Sequence, residues 1–167
     1  MKPIRAGRHL RRGNPFLKER VHDPYRSTVK LRSSTRCPDC HAQYRNGRWI
    51  WPKSDSPGLR SERCPACRRI ADHYPAGELV LSGDFAHEHR SEILGTAHRI
   101  EQLEGGDHPL HRIMSVDEDE SGLSILTTDI HLPHRIAHAV RDAWGGELRT
   151  HYDPEGYFTR VHWHRDD

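Results

Sequence analysis

The stretch CPDCHAQYRNGRWIWPKSDSPGLRSERCPAC, residues 37–67, decides how the N-terminal half of this chain folds. It begins and ends with a Cys-Pro-x-Cys pair and contains all four cysteines of the chain. Two thiolates separated by two residues can bind one ion when the backbone turns sharply between them, and two such pairs supply a tetrahedral zinc site. We therefore predict one structural Zn²⁺, with four ligands: Cys37, Cys40, Cys64 and Cys67.

The alternative to a metal site is a pair of disulfides or free thiols, and nothing in the sequence indicates an oxidising compartment. A thioredoxin-like redox pair is disfavoured, because we expect Pro38 and Pro65 in short polar turns rather than at the start of a helix. Four protein thiolates complete the coordination of zinc, so the metal should hold the segment together rather than catalyse. Apolar residues are few between 37 and 75, so metal binding and folding should coincide.

Charge is strongly segregated along the chain, although its 167 residues carry a net charge of only +2. Residues 1–36 hold eleven Lys and Arg against two acidic residues, residues 37–75 hold seven against four, and residues 76–167 hold eight against eighteen. This polarity indicates a nucleic-acid partner at the basic end; a solubilising tail beside a solvated acidic domain is the alternative. No apolar run reaches the roughly 18 residues of a membrane span, and no signal peptide is evident, so we expect a cytoplasmic protein without a membrane partner.

Residues 1–36 are predicted to form a largely irregular, disordered basic arm, because they cannot bury enough apolar surface to offset their ordering entropy. Their cations could instead neutralise phosphates, which makes binding strongly dependent on salt. The arm residues that we predict to contact RNA are Arg5, Arg8, Arg11, Arg12, Lys18 and Arg20.

Residues 37–75 are predicted to form a four-cysteine zinc ribbon. Asn46-Gly47 predicts a tight hairpin turn, followed by a strand with Trp49 and Trp51 on one face. Arginines interleaved with aromatic rings are typical of surfaces that bind single-stranded or looped RNA, although each tryptophan could equally belong to the ribbon's own small core. The ribbon residues that we predict to contact RNA are Arg45, Arg48, Trp49, Trp51, Arg68 and Arg69.

Residues 76–167 are predicted to form an acidic α+β domain. Strands expected at 78–83, 110–116, 123–128, 147–152 and 157–163 alternate with helices at 86–104 and 129–144, and Gly105-Gly106 should end the first helix. The order β-α-β-β-α-β, plus a last strand, is that of a ferredoxin-like domain with an extra C-terminal strand. Because its third strand lacks the aromatic residues of an RNA-recognition module and the domain is acidic, it should contact protein rather than RNA.

Three histidines of the second predicted helix, His131, His134 and His138, have the spacing of metal ligands. They are a candidate second metal site, but we favour a solvated polar face because the apolar stripe of that helix points the opposite way. We interpret Thr127-Thr128-Asp129 as a helix cap. The sequence has no phosphate-binding glycine loop and no recognisable nucleophile motif, so we expect no enzymatic activity.

Several motifs together resemble a family of small bacterial zinc-ribbon proteins. They are His22-Asp-Pro-Tyr25, Cys37-Pro-Asp-Cys40, Gly47-Arg-Trp49 with Trp51, Cys64-Pro-Ala-Cys67, Pro75-Ala-Gly77, His108-Pro109 and Thr127-Thr-Asp129. That family is similar to the zinc-binding N-terminal part of the archaeal and eukaryotic nonsense-mediated-decay protein that acts as an export adaptor of the large ribosomal subunit. This chain lacks the adaptor's second set of metal cysteines and its extra domains, which excludes nuclear export. The resemblance implies binding to ribosomal or other structured RNA.

The sequence as a whole thus predicts a cytoplasmic, non-enzymatic zinc-ribbon protein that binds RNA. Ribosomal RNA of the large subunit or its assembly intermediates is the expected partner, with ribosomal proteins as further partners. Two alternatives remain open at this stage: a metalloenzyme that uses the histidine face, and a DNA-binding regulator whose ribbon enters a groove.

Overall fold

A small four-stranded sheet forms the N-terminal part of the fold in our computed structural model, which describes residues 23–26, 31, 34–54, 59–154 and 157–167. Its strands are β1 (Thr35–Arg36), β2 (Gln43–Arg45), β3 (Arg48–Ile50) and β4 (Arg60–Ser61), in the order β3-β2-β1-β4. Helix α1 (Pro65–Asp72) follows β4. The sheet begins at Thr35, so two residues that we assigned to the arm belong to the ribbon.

The predicted hairpin is present between β2 and β3. Asn46 and Gly47 have φ angles of 50° and 84°, the left-handed conformation that a two-residue hairpin turn requires. Arg45 pairs with Arg48 directly across the turn, which projects both basic side chains into solvent.

Most of the predicted disordered arm lies outside the residues that the structure describes. The parts of the arm that lie outside are residues 1–22, 27–30 and 32–33.

A five-stranded sheet with helices on one face forms the C-terminal part. Its strands are β5 (Gly77–Ser82), β6 (Ile113–Asp119), β7 (Gly122–Thr127), β8 (Glu147–Tyr152) and β9 (Thr159–His164). The helices are α2 (Asp84–Glu88), α3 (Arg90–Asp107) and α4 (Leu132–Trp144). The mixed α+β architecture agrees with the sequence prediction, but the single helix predicted over residues 86–104 is divided into α2 and α3.

The strands of this sheet lie side by side in the order β6-β7-β5-β9-β8. The order of elements along the chain does not by itself determine this spatial order. The strand that follows α4, β8, lies at the outer edge, and β9 returns between β8 and β5, parallel to β5. A ferredoxin-like sheet with a strand added at its edge would instead pair the strand after α4 with β5. The second strand of the hairpin is therefore inserted beside β5, where Val161 and Trp163 are buried.

The core lies between this sheet and its helices. Alternation along β5 buries Leu79 and Leu81, while Glu78, Val80 and Ser82 face the open side of the sheet. Ile136 and Val140 of α4 pack onto the same cluster. Leu79 and Leu81 are completely buried, and such burial stabilises the fold by about 1.5–3 kcal/mol for each leucine.

Two local predictions differ from the structure. Helix α3 continues through Gly105 and Gly106 to Asp107, because glycine weakens a helix without forbidding it, and the indole of Trp51 donates to the Gly105 carbonyl at 2.5 Å. Pro65 is not in a polar turn: it occupies the first position of α1, where its fixed φ suits a helix and its missing N–H costs nothing.

Asp129 caps α4, as the sequence indicated. Its Oδ2 accepts from the backbone N–H groups of His131 and Leu132 at 2.7 and 3.0 Å. Gly77 lies against this turn, and a Cβ there would come within 2.6 Å of Thr127 and Pro133. The close approach explains why a glycine, which has no side chain, stands at the start of β5.

Candidate metal centre and basic cleft

The four cysteines lie together at one end of the ribbon. Their sulfurs are within 4.8 Å of one another, no disulfide joins them, and Cys37 and Cys64 are completely buried. Among the described residues this is the one group of three or more Cys, His, Asp or Glu side chains whose atoms converge on a possible metal position. Cys37, Cys40, Cys64 and Cys67 therefore form a candidate metal centre, as their spacing predicted.

Both halves of the centre are shaped by local backbone. The first knuckle closes through a hydrogen bond from His41 N–H to the Cys37 carbonyl at 3.0 Å, with His41 in the left-handed region at φ 66°. In the second half Cys64 is the N-cap of α1, and the Cys67 N–H donates to the Cys64 sulfur at 3.4 Å. The positive end of the helix dipole thus favours the thiolate form that a metal requires.

The spacing of the sulfurs fits a tetrahedral ion. Zn–S bonds of about 2.3 Å place two sulfurs of a tetrahedron about 3.8 Å apart, and the sulfurs of Cys40 and Cys64 are 3.8 Å apart. The pKa of Cys40 is lowered to about 4, chiefly by the hydrogen bond that it shares with Cys64. Burial, in contrast, raises the pKa of Cys67 to about 11. Without a cation, the thiols of Cys40 and Cys67 therefore do not ionise together. A bound metal ion would remove this difference, because it favours the ionised form of every sulfur.

Arg112, from the C-terminal domain, completes the surroundings of the sulfurs. Its Nη1 donates to the Cys67 sulfur at 3.3 Å, and its Nη2 lies 3.9 Å from the Cys64 sulfur. The guanidinium is held by donation from Nε to the Pro109 carbonyl at 2.8 Å and lies 5.9 Å from the centre of the Trp51 ring. The side chain of Arg112 thus joins the candidate metal centre to the C-terminal sheet. The sequence did not predict this contact.

Arg69, which we predicted to contact RNA, is completely buried. It pairs with Asp23 at 2.5 Å and stacks on the rings of Tyr25 and Tyr157, at 4.3 and 5.7 Å. Its Nη1 also donates to the Tyr74 carbonyl at 3.1 Å. This arginine therefore joins residues 23–26, α1 and the C-terminal domain, and it is unavailable to a nucleic acid.

The two tryptophans of the ribbon have different surroundings. Trp49 is buried at 8% exposure and packs edge-on against Tyr44, with ring centres 5.7 Å apart. Trp51 is 40% exposed, although its indole N–H is bound to Gly105. Trp49 thus belongs to the ribbon core, and Trp51 links the ribbon to the end of α3.

The remaining predicted contacts of the ribbon, Arg45, Arg48 and Arg68, lie on or near the surface. Arg45 and Arg48 are exposed on the hairpin, and Arg68 is half-buried. Arg48 and Arg68 line a cleft of about 540 Å³ between the ribbon and the loop that precedes β6. The predicted contacts of the arm lie outside the described residues; they are Arg5, Arg8, Arg11, Arg12, Lys18 and Arg20.

The three predicted histidines, His131 just before α4 and His134 and His138 on it, do not form one face in solvent. His134 is buried at 8% exposure, with Nε2 3.5 Å from Thr159 Oγ1 and its ring stacked on Tyr152, whereas His138 is exposed. The expectation that all three project outward was wrong for His134, because α4 also packs against β9 and the edge strand β8. Burial lowers the pKa of His134 to about 4, which keeps its imidazole neutral.

Two polar clusters were missed by sequence reasoning because only the fold brings their members together. His111 lies between two carboxylates, 3.6 Å from Asp129 and 3.6 Å from Glu104. Burial lowers the pKa of His111 to about 4 and raises that of Asp129 to about 6. In the sequence, this cluster was indicated only by two of the motifs that resemble the bacterial zinc-ribbon family, His108-Pro109 and Thr127-Thr-Asp129.

The second cluster lies at the ends of the parallel strands β5 and β9. Ser82 Oγ is 3.0 Å from His164 Nδ1, and His164 Nε2 is 3.2 Å from Asp166. The His164 and Asp166 side chains are 51% and 69% exposed.

Comparisons with protein families, with curated proteins and with solved structures give no match to this chain. Within the described residues, no helix has both the length and the apolar character needed to cross a membrane. The class of protein is therefore defined by the structure alone: a four-cysteine ribbon with a candidate metal centre, joined to an acidic α+β domain.

Proposed function

We propose that this protein is a non-enzymatic RNA-binding protein whose ribbon is held together by one structural Zn²⁺. Four thiolates leave no open position on a tetrahedral zinc ion, so the metal would stabilise the ribbon without activating a water molecule. Free cysteines also fit a reducing compartment, and we propose that the protein acts in the cytoplasm.

The observation that carries the RNA-binding proposal is the division of charge between the two parts of the fold. Residues 1–36 have a net charge of +9 and residues 37–75 of +3, whereas residues 76–167 have −10. Arg45, Arg48 and Arg60 are exposed on the ribbon strands. A basic ribbon beside a basic arm favours a polyanion, and the acidic domain repels one, so RNA would be held at one end of the molecule.

We propose the large ribosomal subunit or its assembly intermediates as the source of the RNA. The support is the resemblance of the cysteine pairs and the neighbouring motifs to zinc-ribbon proteins related to the ribosomal export adaptor. Ribosomal proteins would then be neighbours of the acidic domain, whose helices and loops carry most of the negative charge.

The first test uses the full-length protein purified from its own cells. Elemental analysis should find one zinc per chain, and the co-purifying nucleic acid should be ribosomal RNA. Two metals per chain and no nucleic acid would contradict the proposal and would favour the histidine-based metalloenzyme.

The second test measures binding to ribosomal RNA fragments as a function of salt. Each phosphate contact contributes about 0.7–0.9 to the slope of log K against log salt. The double variant Arg45→Glu/Arg48→Glu should weaken binding at least tenfold and reduce the slope by about two. The matched control is Arg149→Glu, an exposed arginine on β8, which should change neither value. Binding that does not depend on salt would refute the proposal, and preference for duplex DNA in competition would favour a DNA-binding regulator.

A further inference from the structure

A cleft separates the ribbon from the loop between α3 and β6. On one wall are Tyr44, Arg48 and Trp49 of the hairpin; on the other are His108 and His111. Its volume of about 540 Å³ is in the range of about 300–1,000 Å³ that small-molecule sites occupy. The cleft therefore has room for a ligand the size of one nucleotide.

Three arginines, Arg26, Arg48 and Arg68, line the cleft. Arg26 and Arg48 are exposed, whereas Arg68 is half-buried. Arg68 Nη2 donates to the Tyr25 carbonyl at 3.0 Å, but its Nε is buried and has no hydrogen-bond partner among the described residues. A buried guanidinium donor without a partner is costly, and an anion in the cleft would offset that cost.

Flat rings and hydrogen-bonding groups line the same cleft. The rings of His108 and His111 stack at 4.7 Å with planes 19° apart, and His108 is exposed, so it can offer a face to a further ring. Asp23 and Asp107 also line the cleft and can accept hydrogen bonds from the amino groups of a base. An acidic peptide would use the arginines but would gain nothing from the stacked imidazoles.

We propose that this cleft binds one nucleotide, with the phosphate at Arg26, Arg48 and Arg68 and the base stacked on His108. The chemistry is that of a base joined to a phosphate, and it is the same for a free mononucleotide and for an unstacked nucleotide within RNA. The inference deepens the RNA-binding proposal and rests on it for the identity of the natural ligand. An unstacked base of looped RNA would agree with the cleft proposal and with the RNA-binding proposal, because such bases stack on aromatic side chains, histidine included.

The test uses the metal-loaded, full-length protein and four probes: AMP, adenosine, inorganic phosphate and a short single-stranded oligonucleotide. Binding is followed by calorimetry and by the imidazole NMR signals of His108 and His111. AMP should bind more tightly than adenosine or phosphate alone, and both histidine signals should shift. Tighter binding of the oligonucleotide than of AMP identifies RNA as the source, and the reverse order identifies a free nucleotide; either supports the site.

Variants of His108 separate stacking from charge. His108→Ala should weaken AMP binding about five- to tenfold, because one stacking plane is lost. His108→Phe, which keeps a ring, should restore most of the affinity. The control His138→Ala, on the exposed face of α4, should change nothing. An AMP affinity that is absent, or is equal in His108→Ala and in wild type, would overturn the inference, as would tighter binding of an acidic peptide than of AMP.

The two proposals fail separately. If ribosomal RNA binds with the predicted salt dependence but AMP does not bind, the cleft is not a nucleotide site and the RNA-binding function stands. If AMP binds with the predicted response of His108 but no RNA binds, the cleft inference holds for a free nucleotide and the RNA-binding function falls.

Discussion

At the scale of single residues, chemical type alone does not decide a role. Arg68 and Arg69 are neighbours on α1, but a rotation of about 100° per residue turns one toward the cleft and the other into the protein. Arg69 is completely buried and paired with Asp23, whereas Arg68 is half-buried and lines the cleft. Residues of one type therefore serve structure at one position and remain available for binding at the next.

Replacing Arg69 should destabilise the protein. Arg69→Met should lower the free energy of unfolding by about 3–5 kcal/mol, because it leaves the Asp23 carboxylate without its partner. Chemical denaturation of the metal-loaded protein measures this value. The matched control, Arg63→Met, removes an exposed pair with Asp39 and should cost less than about 1 kcal/mol. Equal losses in the two variants would show that Arg69 is not a structural centre.

His134 should make stability depend on pH. Burial lowers its pKa to about 4, below the ordinary value of 6.5, so the folded protein takes up a proton less readily than the unfolded chain. Its contribution is therefore fully present above pH 6.5 and is lost as the pH falls toward 4, by about 3 kcal/mol in total. In His134→Gln that part of the pH dependence should be missing.

The measurement for His134 is the free energy of unfolding at several pH values for wild type and variant side by side. The difference between the two proteins cancels the loss of metal that both undergo in acid. His138→Gln, a change at an exposed position of the same helix, should follow the wild-type curve. Parallel curves for wild type and His134→Gln would contradict the prediction.

At the scale of elements, the two sheets differ in what holds them together. The ribbon strands have only two or three residues each, and half of the ribbon's buried apolar cluster consists of cysteines. The strands of the second sheet have six or seven residues and pack onto α3 and α4 through a cluster of thirteen buried apolar residues. The first sheet should therefore depend on the metal, and the second should not.

Removal of the metal should unfold the ribbon selectively. With a strong chelator, the amide hydrogens of β2 and β3 should exchange at nearly the rate of an unfolded chain, because metal binding and folding coincide in such a site. The amides of β5 and β7 should keep their protection. Hydrogen exchange with mass spectrometry measures both sheets in one sample. Simultaneous loss of protection in the two sheets, or none in the ribbon, would contradict this prediction.

At the scale of the whole molecule, Arg112 joins the two parts of the fold. Its backbone N–H binds Thr128 Oγ1 at 3.0 Å within the C-terminal domain, while its guanidinium reaches the sulfurs of Cys64 and Cys67. Four thiolates and one dication leave a net charge of −2, which this arginine partly neutralises. Metal binding and the docking of the two parts should therefore be coupled.

Arg112→Ala should weaken zinc binding about 10–100-fold, the usual effect of removing a hydrogen-bond partner of a metal ligand. Competition with a chromophoric chelator measures the affinity. Arg135→Ala is the matched control, since Arg135 is exposed and its guanidinium pairs with Glu104 rather than with a sulfur. An unchanged zinc affinity in Arg112→Ala would show that the contact with the sulfurs does not stabilise the bound metal.

The sequence by itself determined the features that depend on short-range spacing. The cysteine pairs, the Asn46-Gly47 turn, the cap at Asp129 and most helices and strands of the C-terminal domain follow from residues that are close in the chain, where backbone geometry leaves few alternatives. The tertiary structure decided the insertion of β9 beside β5, the burial of Trp49, Arg69 and His134, and the contact of Arg112 with the sulfurs. These depend on which faces meet when distant segments pack. Local spacing does not contain that information. An amphipathic pattern shows that one face of an element must be buried, but it does not show which other element covers that face.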